Sequence, residues 1–502
     1  MKKIIAIIFI CLMIIGTLYS CSSQSGGNST TTVGDNLQTD TPSNPDGSAS
    51  QTETTKITPN LPEKDLGGKT FTFYVMGKER NVNNYSTEIY AEAENGDVIN
   101  DAVYKRNQTV EDKYNFTVAE YPEKNASLAD AVKKTLLAGD DVYQVFMMNL
   151  MDSVNLANQG FLNNLKNVEN MDLSNPWWDA KSDDGFSICN KLYFAVGDIN
   201  IMDNNATWAV FFNKKLISDL GLQMPYDYIQ NNGWTLDQYY EMSSAAAKDL
   251  NGDGVMDPDN DRWGTVGEYL NTSMLFTASG ERVTQKDNTD TPYIQAMNDR
   301  AASVMDKVLN IQLDKNSTLH ANEYSGKYAN AYDMIRTAFK QDRALFYIAG
   351  LLSYTLLRDM ESPFGMVPMP KCDSSQDSYY TTYNPNNASA LSIPVTNQEL
   401  SDTGLIVEAL AAESMYTLTP AYYNVALQRK YMRDDESSAM LDIILSSRMF
   451  DLDSVYDWGG SYSVFNQLTQ TKSRDFTSAF AKVQDKAEAA VTKSVDTINS
   501  FK

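Results

Sequence analysis

The sequence predicts an α/β fold in which two packed units are joined by a hinge. Its 502 residues exceed the usual size of one hydrophobic core and leave room for two. Patterns typical of strands and of helices alternate along the chain, which favours parallel sheets covered by helices. Two apolar runs, at residues 192–196 and 208–212, flank a polar segment at residues 198–207. Because a polar connector between two buried strands cannot itself be core, this stretch indicates a crossing between the units.

The amino-terminal segment predicts export from the cell. Lys2 and Lys3 precede an apolar run at residues 4–15, which has the length of a signal peptide and is too short to span a bilayer. The sequence LYSC at residues 18–21 resembles a bacterial lipobox, in which the cysteine, here Cys21, becomes the lipidated first residue. A signal peptide that merely ends near a cysteine is the alternative.

This interpretation defines the first segments of the chain. We expect residues 1–20 to be the signal peptide and residues 21–64 to be a lipidated tether. The tether is rich in Ser, Thr, Asn, Gly and Pro and has few large apolar side chains, so it cannot bury enough surface to fold. The mature chain is therefore expected at the extracellular face of the cell membrane, attached by its lipid anchor alone.

The first unit is predicted to alternate strands and helices. Asn100 or Asp101 is the expected N-cap of its first helix, and Gly139 is expected to end the second. The predicted strands are residues 69–75, 116–119 and 142–148, and the predicted helices are residues 100–114 and 128–138.

After the first crossing the same alternation continues. Asn213 precedes an amphipathic helix, and Thr235 is the expected N-cap of a helix at residues 238–248. A further strand is predicted at residues 343–350. The remaining predicted helices are residues 293–309, 330–339, 402–426, 434–449 and 479–501.

Five motifs carry a resemblance to the carbohydrate-type (family 1) extracellular solute-binding proteins of bacterial ABC transporters. In chain order they are FFNKKLISDLGL, GWTLD, DLNGDG, FGMVPMPK and MRDDESSAMLDII. The resemblance covers most of residues 65–502. It implies that a strand at residues 364–371 brings the chain back to the hinge and that residues 379–394 form a second crossing. It implies an α/β, two-lobed periplasmic-binding-protein-like fold of type II, with each lobe a sheet flanked by helices. The expected lobes are residues 65–200 plus 392–448 and residues 206–388 plus 450–502.

Composition restricts the ligand. The net charge is −24, from 65 acidic and 41 basic residues, so an anionic polymer such as a nucleic acid would be repelled. A neutral or cationic ligand is favoured. The resemblance implies that the chain is a monomer, captures a carbohydrate, and delivers it by hinge closure to the permease of an ABC importer; an oligosaccharide is the expected ligand.

Sugars present apolar ring faces and hydroxyl groups, so their sites combine aromatic rings with planar polar side chains. In a two-lobed fold such side chains are expected on loops at strand ends and on the crossings. The candidate ligand contacts are Trp177, Trp178, Asp198, Asn205, Trp208, Tyr383 and Trp458.

An acidic loop at residues 249–261, DLNGDGVMDPDND, predicts a structural calcium site. A calcium loop needs oxygen ligands at alternate positions and a glycine at the sixth for the turn. The predicted ligands are Asp249, Asn251, Asp253, the Val255 carbonyl and Asp257, completed by Asp259 or Asp261. A solvated acidic loop without metal is the alternative.

The sequence offers little material for catalysis. His320 is the only histidine and stands in a segment predicted to be polar, and no nucleophile elbow, P-loop or dinucleotide motif follows a strand. We therefore expect no enzymatic activity. The alternatives left open are a secreted glycoside hydrolase with a carboxylate pair, a surface glycan-binding or sensor protein, and a binding protein for peptides or polyamines. Cys189 and Cys372 could form a disulfide or be separate buried thiols.

Overall fold

The computed structural model describes residues 56–295, 297–427 and 435–501. The predicted signal peptide, Cys21, most of the tether and the start of the MRDDESSAMLDII motif lie outside the described residues. The segment Ile57–Lys502 forms one compact unit that contains two main sheets. Within the described residues, no helix is both long and apolar enough to cross a membrane.

The strands occupy the following ranges, in chain order: β1 Lys69–Met76, β2 Phe116–Glu123, β3 Val145–Asn149, β4 Trp208–Asn213, β5 Trp263–Gly267, β6 Thr284–Lys286, β7 Pro292–Ile294, β8 Thr318–His320, β9 Ala344–Gly350, β10 Phe364–Val367 and β11 Ser389–Ser392.

The α-helices occupy these ranges: α1 Val98–Tyr114, α2 Leu128–Ala138, α3 Leu150–Ala157, α4 Ala180–Phe186, α5 Met202–Ala206, α6 Lys214–Asp219, α7 Pro225–Gln230, α8 Leu236–Ala246, α9 Asn271–Ala278, α10 Asp299–Gln312, α11 Ala331–Lys340, α12 Ser353–Leu356, α13 Leu400–Ser414, α14 Leu418–Leu427, α15 Asp435–Ser446, α16 Asp453–Tyr456, α17 Ser463–Thr471 and α18 Phe476–Ser500.

The first sheet has the strand order β11-β3-β1-β2. Strands β1, β2 and β3 are parallel, and β11 runs antiparallel to β3. Strand β11 comes from a much later part of the chain, so the chain returns to this sheet after building the second one. The start of β11 therefore lies at the same edge as the carboxyl ends of β1 and β3.

The second sheet has the strand order β10-β4-β9-β5-β8. Strands β5, β8 and β9 are parallel, while β4 runs antiparallel to β9 and β10 antiparallel to β4. The start of β4 consequently meets the carboxyl ends of β5 and β9. Helices α8 and α11 cover the faces of this sheet.

Several local predictions are confirmed. The Asn213 side chain accepts a hydrogen bond from the Leu216 N–H at 3.0 Å and caps α6, and Thr235 caps α8 by accepting from the Gln238 N–H. Gly139 ends α2 with a φ of 74°, a left-handed conformation that suits glycine. Strand β9 begins one residue after its predicted start.

Other local predictions are wrong in identifiable ways. Asp97, not Asn100 or Asp101, caps α1, because its side chain accepts from the N–H groups two and three residues later. The predicted helix at residues 293–309 is preceded by strand β7 and begins only after Asn298, which caps α10. The buried residues 192–196 form an isolated bridge between Ala195 and Leu391 and no regular strand.

Three further findings correct or resolve expectations. His320 ends β8 and is 4% exposed, so it lies in a buried strand and not in a polar segment. Cys189 and Cys372 are both free thiols. Leu441 and Ile444 of α15 pack in the same hydrophobic cluster as Phe364 of β10, which places α15 on the second sheet although residues 392–448 were expected in the first lobe.

Candidate functional site

A cavity of about 400 Å³ lies where loops from the two main sheets meet. One wall is formed by the loop after β1 and the loop before β11 of the first sheet. The other is formed by residues after β5 and around β9 of the second sheet. The crossing between the sheets, at the start of β4, closes one side. Ligand sites in α/β proteins occupy this position, beyond the carboxyl ends of parallel strands.

The wall from the first sheet is made of asparagines. They come from two short segments, and their members on the cavity are Asn81, Asn83, Asn84, Asn384, Asn386 and Asn387. Two of them shape the loops: Asn81 Oδ1 accepts from the backbone N–H of Asn83 and Asn84 at 3.0 and 3.2 Å, and Asn384 Oδ1 accepts from the Asn386 N–H at 3.0 Å. The wall thus presents amide groups, which can both donate and accept.

The wall from the second sheet carries aromatic and charged side chains. Tyr332, Arg336 and Ile335 come from α11, Tyr347 from β9, and Glu268 from the loop after β5. The Tyr332 side chain is 46% exposed, so its ring is available to a ligand.

Glu268 and Arg336 are the only charged residues among the described residues that line the cavity. Burial raises the pKa of Glu268 to about 7, and a hydrogen bond with Tyr332 opposes that rise. Arg336 donates from Nη2 to Asp333 Oδ1 at 2.7 Å, while its buried Nε has no hydrogen-bond partner among the described residues. The cavity lining thus provides one carboxyl group and one guanidinium.

The crossing contributes Asn205 and Trp208. Trp208 is 3% exposed, and its indole Nε1 is buried without a hydrogen-bond partner in the described part of the chain. The Asn205 amide donates to the Met202 sulfur at 3.8 Å, and sulfur is a weak acceptor. An unpaired buried donor costs free energy, so a ligand acceptor at this position would stabilise the complex.

A second cavity, of about 670 Å³, adjoins the first and shares Glu268, Leu270, Asn330, Tyr332 and Asn386 with it. Its other lining side chains include Tyr269, Tyr328, Asn322, Asn466 and Gln470. The two cavities together form one groove lined mainly by amides and tyrosines, side chains that suit a polar ligand with apolar faces.

Asn205 and Trp208 are the two predicted ligand contacts that line the central cavity. Trp177 and Trp178 are buried instead beneath α13, where their indole Nε1 atoms donate to the two oxygens of Glu408 at 3.1 and 2.8 Å. That carboxylate lies 231 residues beyond Trp177 in the chain. The indoles therefore pack in the core, and their part in ligand binding stays a prediction.

The three other predicted contacts also have protein partners. Asp198 accepts from Thr419 Oγ1 at 2.8 Å, and burial raises its pKa to about 6. Tyr383 OH lies 3.2 Å from Ser454 Oγ and its ring packs against Phe450. Trp458 donates from Nε1 to Ser494 Oγ at 2.9 Å and stacks on Tyr456. None of these three lines the central cavity.

Sequence reasoning missed most of the cavity. Glu268, Tyr332, Arg336 and Tyr347 carry no local signal that separates them from other charged or aromatic residues. The asparagines do carry one, because the segments NVNN at residues 81–84 and NPNN at residues 384–387 are unusually rich in amides beside predicted strands.

The acidic loop at residues 249–261 is organised by its own backbone. Asp249 accepts from the N–H groups of Gly252 and Gly254 at 2.6 and 2.8 Å, and the fully buried Asp261 accepts from Leu250 and Asp257 at 2.9 and 2.8 Å. Gly252 and Gly254 have φ values of 77° and 83°. Within the described residues, no group of three or more His, Cys, Asp or Glu side chains is placed to hold a metal ion. The donor set of carboxylate, amide and carbonyl oxygens is nevertheless the chemistry that calcium prefers.

Comparison with known proteins identifies the fold. No protein-family model and no curated protein sequence matches the chain. Among solved structures, it is similar to an ABC substrate-binding protein from Listeria monocytogenes in complex with cycloalternan, at 14% identity and a TM-score of 0.53 over 87% of this chain and 100% of the other. It is also similar to the binding protein RafE in complex with raffinose, at 15% identity and a TM-score of 0.51 over 84% of this chain and 99% of the other. The ligand-free form of RafE, from Streptococcus pneumoniae, matches with a TM-score of 0.52 at 14% identity over 84% of this chain and 98% of the other.

A third similar structure is an ABC transporter solute-binding protein from Thermotoga lettingae bound to α-D-tagatose, at 14% identity and a TM-score of 0.52 over 84% of this chain and 100% of the other. The chain thus has the two-lobed fold of ABC substrate-binding proteins, with a sheet and flanking helices in each lobe, as the sequence predicts.

Proposed function

We propose that this chain captures an uncharged carbohydrate, an oligosaccharide, in the groove between its two sheets and delivers it to an ABC importer. The observation that carries the proposal is the composition of the central cavity. Eight asparagines line it, together with Tyr332, Tyr347 and Trp208. Amides pair with sugar hydroxyls and aromatic rings pack on sugar ring faces.

The proteins of similar fold support this ligand class. Those with TM-scores above 0.5 include complexes with cycloalternan, raffinose and α-D-tagatose. Because the walls of the cavity come from both sheets, a ligand that touches both would favour the closed arrangement by its differential affinity. The permease would then recognise the closed form.

The charges on the cavity argue against the alternative ligands. A polyamine would need several carboxylates, and a peptide would need paired charges for its termini, whereas the described lining residues provide Glu268 and Arg336 alone. A glycoside hydrolase needs two carboxyl groups flanking the scissile bond. With one carboxylate on the described walls, binding is favoured over hydrolysis.

A thermal-shift screen of the full chain tests the proposal. We expect raffinose, maltotriose or cyclic glucans to raise the melting temperature in proportion to ln(1 + [L]/Kd), while peptides and spermidine leave it unchanged. If no glycan raises the melting temperature while spermidine or peptides do, the carbohydrate assignment is wrong. Appearance of new reducing ends during incubation would indicate a hydrolase.

The proposal extends to the cellular setting. Lipidation of Cys21 would hold the monomer at the extracellular face of the membrane, and residues 21–64 would let it reach the permease. A surface glycan sensor without an importer is the competing possibility, and neighbouring permease genes would argue against it.

The proposal also includes a structural calcium ion in the loop at residues 249–261. Asp249, Asn251, Asp253, Asp257 and the Val255 carbonyl would supply ligands, with Asp259 or Asp261 completing the set. Binding of the ion would relieve repulsion among the five carboxylates of this short loop. Its effect would be on stability, because this loop lies outside the residues that line the groove.

A further inference from the structure

Arg448, which follows α15, lies against the crossing between the two sheets. Its guanidinium donates from Nη1 to Asp203 Oδ2 at 2.6 Å and to Asn204 Oδ1 at 2.7 Å, and from Nη2 to Asp179 Oδ2 at 2.9 Å. The Arg448 and Asp203 side chains are 12% and 5% exposed. Solvent therefore screens this pair weakly, and each charge depends on the other for compensation.

Two of the three acceptors of Arg448, Asp203 and Asn204, belong to the segment that builds the cavity wall. Asp203, Asn204 and the cavity residue Asn205 all lie in α5, and Trp208 follows two residues after the helix ends. Within this segment Thr207 Oγ1 donates to the Asp203 carbonyl at 2.9 Å. The position of the guanidinium thus fixes the turn from which the two cavity residues of the crossing project.

The backbone beside Arg448 holds the second crossing as well. The Thr381 N–H donates to the Ser447 carbonyl at 3.0 Å, and the Met449 N–H donates to the Thr381 carbonyl at 2.9 Å. The Thr381 hydroxyl in turn donates to the Trp208 carbonyl at 2.7 Å. Two separate hydrogen-bonded routes therefore connect the Arg448 segment to Trp208.

We infer that Arg448 is a positioning residue of the ligand site, which acts through Asp203 and Asn204 without touching the ligand. The inference rests on the proposed function for its effect on affinity, but its structural part can be tested without any ligand. A planar guanidinium can donate in two directions at once, which a lysine ammonium on its flexible stem reproduces poorly. The charge alone is therefore insufficient for the role.

The structural part is tested by ¹⁹F NMR of the full chain labelled with 5-fluorotryptophan. Substitution of Arg448→Met is expected to shift or broaden the Trp208 resonance, assigned by Trp208→Phe, while the Trp263 resonance stays in place. The matched control is Arg262→Met, which removes a half-buried guanidinium whose Nε donates to the Ala246 carbonyl at 2.7 Å. This control is expected to perturb the neighbouring Trp263 and to leave Trp208 unchanged.

Affinity is then measured for the glycan that gives the largest thermal shift. Arg448→Met is expected to weaken binding by roughly 2- to 30-fold, Arg448→Lys by less, and Arg262→Met not at all. If Arg448→Met fails to fold, Asp203→Asn supplies the same test, because it keeps the shape and removes the charge. An unchanged Trp208 signal in these variants would overturn the inference, whereas wild-type protein that binds no glycan would overturn the proposed function alone.

Discussion

The backbone N–H of Trp208 donates to the carbonyl of Thr382 at 2.9 Å, which joins the two chain crossings. Trp208 begins β4 of the second sheet, while the chain beyond Thr382 leads through the asparagine segment into β11 of the first. One hydrogen bond thus connects the routes into both sheets. Because Trp208 and Asn384 on these routes line the cavity, movement of one sheet relative to the other would change the shape of the ligand site.

Trp208→Phe tests whether the unpaired indole donor meets the ligand. We expect glycan affinity to fall by about 2- to 10-fold, the worth of one hydrogen bond, because a smaller aromatic ring remains in place while the indole N–H donor is lost. Titration calorimetry measures this effect. Trp234→Phe is the matched control: it removes the same volume and a hydrogen bond to the Pro368 carbonyl, and Trp234 does not line the groove, so it should lower the melting temperature more than Trp208→Phe does and leave affinity unchanged.

Glu268→Gln tests the carboxyl group on the cavity wall. Its folded pKa of about 7 lies above the ordinary value of 4.5 because of burial. Below that pH the neutral group can both donate and accept, and above it the carboxylate resists further desolvation by a ligand. We expect glycan affinity to fall as pH rises through about 7 and the Gln variant to bind with little pH dependence. If the glycan affinity of the unaltered chain and of the Glu268→Gln variant changed equally with pH, this role of Glu268 would be wrong.

The stability of the unliganded protein should also decline with rising pH. Burial raises the pKa of Glu120 and Asp183 to about 7 and that of Asp451 to about 6. A raised folded pKa means that the folded state holds the proton more tightly than the unfolded state. The resulting stabilisation is complete below about pH 4 and is lost as pH rises through about 6 to 7. Urea unfolding should therefore show a higher midpoint at about pH 5 than at about pH 8, and a flat profile would disprove the shifts.

Calcium should stabilise the chain through its acidic loop. We expect a calcium titration of metal-free protein to raise the melting temperature, and Asp253→Ala to remove that response. Asp253 is a suitable position because its side chain accepts only from Asn251 and Val255 within the loop. The control is Asp299→Ala at the start of α10, which should keep the full response. A response of equal size in both variants would show that calcium acts elsewhere.

Local elements could be predicted from the sequence because their signals are local. Asn213, Thr235 and Gly139 mark helix ends through hydrogen bonds or backbone conformation within a few residues. The strand β9 stands out by its continuous apolar run. In contrast, α15 packs on the second sheet through residues such as Ile444, which lies in one hydrophobic cluster with Phe364 of β10. The periodicity of α15 predicts a helix but not the sheet on which it packs.

The site was only partly predictable for the same reason. Asn205 and Trp208 were found because the crossing itself is visible as a polar segment between apolar runs. Asn84 and Asn386 lie on the same cavity because β1, β3 and β11 are neighbours in the first sheet. That strand order depends on contacts between distant parts of the chain. Trp178 has an aromatic ring of the kind that packs on sugars, but its indole donates to Glu408. Because Glu408 lies on a helix far along the chain, this contact could not be predicted from the local sequence.

The measurement that tests the central claim most directly is calorimetric titration of the best glycan against one variant from each wall. Asn84→Ala alters the wall from the first sheet and Tyr332→Ala the wall from the second. Tyr293→Ala is the control, because this tyrosine is 49% exposed, close to the 46% of Tyr332, and does not line the groove. We expect each wall variant to weaken binding by at least about fivefold and the control to bind as the unaltered chain does. Loss of affinity from one wall only, with the other variant binding normally, would contradict capture between the two sheets.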